Sequence, residues 1–134
     1  MICVECGHEM RESTEAIAEM YRGKIISVEG VRHYTCDHCG DYALAPDEAD
    51  QFAKIVVSRY AGEEGLLTGD EIRAIRGRLG LRQVDLERVM GVSTPTVSRW
   101  ENGAMLPSRM ACAFLRVLDS HPEVLDDKHV WMGN

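Results

Sequence analysis

Two cysteine pairs at identical spacing limit what this chain can fold into more than any other feature. Cys3 and Cys6 form one C-x-x-C, Cys36 and Cys39 the other, with a 29-residue insert between them and a glycine after each, Gly7 and Gly40. One C-x-x-C turn offers two thiolates from a tight bend. Two such turns supply all four corners of a tetrahedral metal centre and leave no open position for water, which makes the site structural rather than catalytic. The glycines relieve the turns, so that backbone amides can approach the sulfurs. The N-terminus has no basic segment followed by an apolar one, so the chain reads as cytoplasmic, a setting in which paired cysteines hold metal in preference to forming disulfides. The expected ligand set is Cys3, Cys6, Cys36 and Cys39 around one structural Zn2+ per chain. A redox dithiol, an iron–sulfur cluster or unligated thiols use the same residue types. His8 and His38 stand near the pairs and could substitute as ligands. Cys112 lies in an apolar helical stretch and is expected to be a buried small hydrophobe.

Charge divides the chain as cleanly as the cysteines do. Residues 1–65 carry 6 Lys+Arg against 13 Asp+Glu, whereas residues 66–134 carry 9 against 9. Within residues 68–109 the balance turns positive, 7 arginines against 5 acids. An acidic protein repels nucleic acid, but here the excess acid is confined to one half, so the halves are expected to do different jobs. No apolar run approaches the roughly 20 residues of a membrane helix.

The periodicities give an α+β reading with domains at 1–66 and 67–134. In the first, Ile25, Ile26, Val28, Val31 and Tyr34 suggest two short strands joined at Glu29–Gly30. "APDEADQFAKIVVSRY" follows as a helix, with Ala49, Phe52, Val56 and Tyr60 on one face. Residues 61–69 are rich in glycine and read as a linker. In the second domain Thr68 and Glu71 form a capping box that opens a helix carrying Ile72, Ile75 and Leu79, and Gly80 closes it. "RQVDLERVM" makes a second helix ending at Gly91. A third starts with Ser93 as N-cap and Pro95 in its first turn, and ends at Gly103. Met110, Phe114 and Leu118 are spaced for burial on a fourth. Ser120 and Glu123 repeat the capping box for a short fifth.

The polar helix "STPTVSRWEN" carries the chemistry of the second half. A helix, a "GVS" turn and a polar helix are the layout of a helix-turn-helix, whose second helix enters the major groove. Arg99 can make a bidentate pair with guanine, and the methyl of a threonine such as Thr94 or Thr96 can pack on thymine. Val97 and Trp100 point back to the core. Glu101 is expected to partner a nearby arginine rather than DNA.

The stretch "LGLRQVDLERVMGVSTPTVSRWENGAMLPS" resembles the helix-turn-helix of the phage-repressor (Xre/Cro) family. With the upstream cysteine knuckles and the tail "LRVLDSHPEVL", the chain resembles MqsA-type antitoxins of bacterial type II toxin–antitoxin systems. That resemblance implies a zinc domain that neutralises a basic, mRNA-cleaving toxin and a C-terminal domain that dimerises and represses the operon from double-stranded DNA. It also implies that Gln83 contacts phosphate, that Thr94, Pro95 and Arg99 face the bases, and that Asn102 contacts the backbone. Pro95 departs from the pattern in having no polar side chain. Glu87 departs in standing where many relatives carry a small residue between the two helices. A homodimer on a palindromic operator follows from the few base pairs that one helix covers. Its expected interface is residues 106–134, with Leu115, Leu118, Val124, Leu125, Val130 and Trp131 as its apolar supply. A stand-alone regulator without a toxin partner is the alternative. Enzyme function is not expected: there is no Ser/His/Asp order, no phosphate-cradling glycine loop and no open metal position.

Overall fold

The structure, a computed structural model, describes residues 1–132, and of Val130 only the backbone. It contains two compact units, Met1–Tyr60 and the chain from Ala61 onward.

The first unit is built from short strands. β1 (Arg11–Ser13), β4 (His33–Thr35) and β5 (Tyr42–Ala43) form a three-stranded antiparallel sheet with β4 in the middle. β2 (Ile17–Tyr21) and β3 (Lys24–Val28) form a separate hairpin in which Ile17 faces Val28 and Tyr21 faces Lys24. Its turn is Arg22–Gly23, with φ of 49° and 82°. Positive φ at both central residues matches the right-handed twist of the flanking strands. The expected hairpin across Glu29–Gly30 is therefore corrected. β3 turns back on β2, and the residues after Gly30 cross to a different sheet. Alternation within the hairpin buries Ile17, Ile26 and Val28 and leaves Met20 and Ile25 exposed on the far face. Helix α1 (Pro46–Glu64) adds Phe52 and Val56 to the same core. Tyr42 donates a 2.5 Å hydrogen bond to Glu19, tying the two sheets together.

Helix α1 also corrects the linker reading. It continues to Glu64, and Leu67 is buried in the core of the second unit with Leu66 packed beside it.

In the second unit the local signals held where they were purely local. α2 (Gly69–Leu79) opens with the reciprocal Thr68–Glu71 capping box and closes at Gly80 in the left-handed conformation. α3 (Gln83–Met90) ends at Gly91 in the same way. α4 (Thr96–Glu101) starts one residue after Pro95, and the Ser93 hydroxyl meets Thr96 Oγ1 rather than a helix amide, so Ser93 is not its cap. α5 (Arg109–Ser120) is capped by Ser108, a 3₁₀ turn spans Pro122–Asp126, and α6 (Lys128–Trp131) starts from Asp127. Ser120 belongs to α5 and no side chain caps the 3₁₀ turn, so the second capping box is absent. The buried face of α5 is Cys112, Leu115 and Leu118, while Met110, expected inside, is 82% exposed.

A buried carboxylate ties α4 to α2. Glu101 accepts from Arg76 Nε at 2.7 Å and from Arg76 Nη2 at 3.0 Å, with Gln83 Nε2 at 3.3 Å. Beside it the start of α2 lies against the end of α4. A Cβ at Gly69 would sit 2.4 Å from the Glu101 carbonyl oxygen, so only glycine fits there. Gly69→Ala should destabilise the second unit by about 1–3 kcal/mol in denaturant unfolding. Burial pushes the Glu101 carboxyl up, but Arg76, Gln83 and Arg73 outweigh it and hold it below its ordinary value of 4.5. A group lowered on folding stabilises the fold above its unfolded value, and that contribution disappears as pH falls through the folded value. The midpoint of thermal unfolding of the second unit should therefore drop on acidification below 4.5. Glu101→Gln, less stable at neutral pH, should show a weaker dependence over the same range.

Candidate metal centre and the polar helix

The two cysteine turns are near copies. Cys3 N donates to His8 O at 2.8 Å and Gly7 N to Cys3 O at 2.9 Å. In the second turn Cys36 N donates to Asp41 O at 2.9 Å and Gly40 N to Cys36 O at 2.8 Å. Gly7 and Gly40 are both left-handed, with φ of 78° and 80°, as this bend requires. β1, β4 and an isolated bridge between Ile2 and Glu9 hold the turns face to face.

The four sulfurs converge. Cys3 Sγ lies 3.6 Å from Cys39 Sγ, and Cys6 Sγ 3.5 Å from Cys36 Sγ. A disulfide requires about 2.05 Å, so neither pair is bonded. Four sulfurs at about 2.3 Å from one ion would stand roughly 3.8 Å apart, close to the spacing found. The amides anticipated from the glycines are present: His8 N–H reaches Cys6, Cys39 and His38 N–H reach Cys36, and Asp41 N–H reaches Cys39. The Cys39 amide lowers Cys36 to about 7. At Cys6 the His8 amide also lowers the thiol, but burial and the three neighbouring sulfurs outweigh it and push it up to about 12. Four ionised sulfurs at this spacing need a cation among them, so the donor set fits a metal ion. His8 and His38 stack beside the cluster, ring centroids 3.7 Å apart, and both are exposed. Cys6, His8 and His38 form a second group with ligand atoms within 4.8 Å of one another.

The polar helix presents some of its expected residues outward and ties others down. Pro95, Arg99 and Asn102 are exposed, and Asn102 Oδ1 accepts from Ala104 N at 2.9 Å, leaving its amide N–H groups for other partners. Thr96 and Gln83 are half-buried, and Gln83 spends one N–H on Glu101. Thr94 is exposed, yet its hydroxyl donates to Glu87 at 3.0 Å. Val97 and Trp100 are core, and Cys112 is fully buried with its sulfur accepting from Leu67 N at 3.3 Å. Glu87 is 3% exposed, a buried acid that no local pattern in the sequence flags as structural.

Cys36→Ser should lower the metal content and unfold the first unit while the second keeps its thermal transition. Cys112→Ser should leave metal content unchanged. Metal analysis together with circular dichroism checks both. Because thiols must lose their protons to bind, acid should release the metal.

Comparison with known proteins places these features in one family. The family model described as "Antitoxin component of bacterial toxin-antitoxin system, MqsA" matches residues 1–129. The chain is similar to Antitoxin MqsA of Escherichia coli (strain K12), 29% identical over 129 residues, which cover 95% of this chain and 98% of that protein. It is also similar to Antitoxin HigA-2 of Vibrio cholerae, 30% identical over 59 residues, 44% of this chain and 57% of the relative. No helix among the described residues is long and apolar enough to cross a membrane. With the four-cysteine cluster, the helical unit and a match that spans both, the chain belongs to the MqsA family, the non-enzymatic antitoxin component of bacterial toxin–antitoxin systems.

Proposed function

We propose that this antitoxin neutralises a basic, mRNA-cleaving toxin through its first unit and, as a homodimer in the cytoplasm, represses its own operon by binding a palindromic operator. Zn2+ is the metal assigned to Cys3, Cys6, Cys36 and Cys39, because a closed four-thiolate tetrahedron suits a structural, redox-inert ion. Gln83, Thr94, Pro95, Thr96, Arg99 and Asn102 are the assigned DNA contacts. The acidic balance of the first half favours a basic partner there.

The observation that carries the DNA assignment is the state of Arg99. Most arginines of the second unit are engaged: Arg73 and Arg76 with Glu101, Arg78 with Asp119, Arg82 with Asp85, Arg109 with Glu64 and Arg116 with the Gly65 carbonyl. Arg99 and Arg88 alone make no side-chain hydrogen bond or ion pair among the described residues. A guanidinium left unpaired on an exposed polar helix is available for a guanine edge.

The expected apolar supply of the dimer needs revision. Leu115 and Leu118 are fully buried within one chain, Val124, Leu125 and Trp131 pack against the same core, and the Val130 side chain lies outside the described residues. The exposed apolar stripe is instead on α5, where Met110 and Val117 are 82% and 48% exposed with exposed Ala113 between them. This face lies within the segment expected to dimerise and is the interface proposed here.

Arg99→Ala should lose about 1–3 kcal/mol of specific DNA binding with little change in thermal stability. Equal loss on operator and random DNA would make Arg99 a phosphate contact instead. Val117→Glu should give a monomer by sedimentation with reduced operator affinity and unchanged metal content. A dimer that survives it lies elsewhere.

A further inference from the structure

Glu87 on α3 uses both carboxylate oxygens on the start of α4. Oε1 accepts the Thr94 hydroxyl at 3.0 Å, and Oε2 accepts the Val97 amide at 3.2 Å. That amide belongs to the first turn of the helix, where N–H groups lack intrahelical partners. A carboxylate accepts and has no proton to give, so the single proton of Thr94 is committed inward. Toward solvent, Thr94 then presents only oxygen lone pairs and a methyl group.

Resting on the DNA reading above, we infer that the buried Glu87 fixes the hydrogen-bonding character Thr94 offers to the groove, making the pair a determinant of base specificity. In this state Thr94 accepts from an exocyclic amino group of adenine or cytosine, or packs on the methyl of thymine. It cannot donate to guanine, whose major-groove edge offers only the acceptors N7 and O6. Glutamine at position 87 would invert this without changing shape. The Val97 amide still demands an acceptor, so the Gln oxygen must face it and the NH2 must face Thr94. Thr94 then accepts internally and turns its own proton outward.

The test is selection of binding sites from a random duplex DNA library by the full-length protein, by Glu87→Gln, by Thr94→Val and by the double variant, each checked for an unchanged thermal transition. Glu87→Gln should raise guanine about fivefold to tenfold relative to cytosine at one position of the site, the worth of a single hydrogen bond, because cytosine alone has no major-groove acceptor. In the Thr94→Val background the Glu87 change should shift nothing at that position. Identical base ratios for wild type and Glu87→Gln would overturn the inference. A shift that persists without the threonine hydroxyl would also overturn it. A wild-type protein that selects no sequence refutes the DNA reading itself, a result separate from these. Should Glu87→Gln fail to fold, Thr94→Val alone carries the test: without the hydroxyl acceptor, cytosine should fall relative to guanine at that position, and unchanged base ratios count against the assignment of Thr94.

Discussion

The first unit depends on joining two turns that are distant in sequence but meet at one end of its sheet, where Arg11 after the first turn pairs with Thr35 before the second. Its strands are two to five residues long, and its buried apolar side chains fall into two small clusters, one of them made largely of the cysteines themselves. So little apolar surface leaves a chain of this size marginal unless something else joins it. The four sulfurs provide that join. Sulfurs at 3.5–3.6 Å would repel one another as thiolates, and a divalent cation converts that repulsion into a cross-link between residues that are far apart in sequence.

The second unit solves a different problem. A helix of six residues cannot hold its own position, because helices this short are unstable in isolation. α4 is held at both ends by buried acids instead, Glu87 at its start and Glu101 at its end. Both acids spend their charge inside the unit. Arg99 lies between the two anchors and keeps its charge outward, so a rigid seat and an uncommitted guanidinium coexist on one helix.

What could be read from the sequence follows from how far each signal reaches. The cysteine turns, the Thr68–Glu71 box and the stops at Gly80 and Gly91 are encoded within a few residues, and they stand in the structure as read. The β2–β3 pairing was missed because Arg22–Gly23 lacks the usual Asn-Gly form and Gly30, also left-handed, looked like the better turn. The neighbours of Ser93 fit the pattern of a cap, whereas the cap comes across from Glu87 on another helix. Met110 fits a buried stripe in the sequence because α5 is apolar on more than one side, and periodicity does not choose between two apolar stripes. Each of these was decided by tertiary contact. Among the proposed contacts, Arg99 was legible as a residue type, but its lack of an internal partner could be seen only in three dimensions.

The proposed function divides the labour between a metal-held acidic unit for the toxin and a metal-independent helical unit for DNA. The most direct measurement is the affinity of the full-length protein for DNA from upstream of its own reading frame, before and after metal is stripped with a chelator. The predicted result is an unchanged DNA affinity alongside lost protection against the proposed toxin. A DNA affinity that falls in step with metal content would contradict it, by making the four-cysteine site part of the DNA-binding machinery.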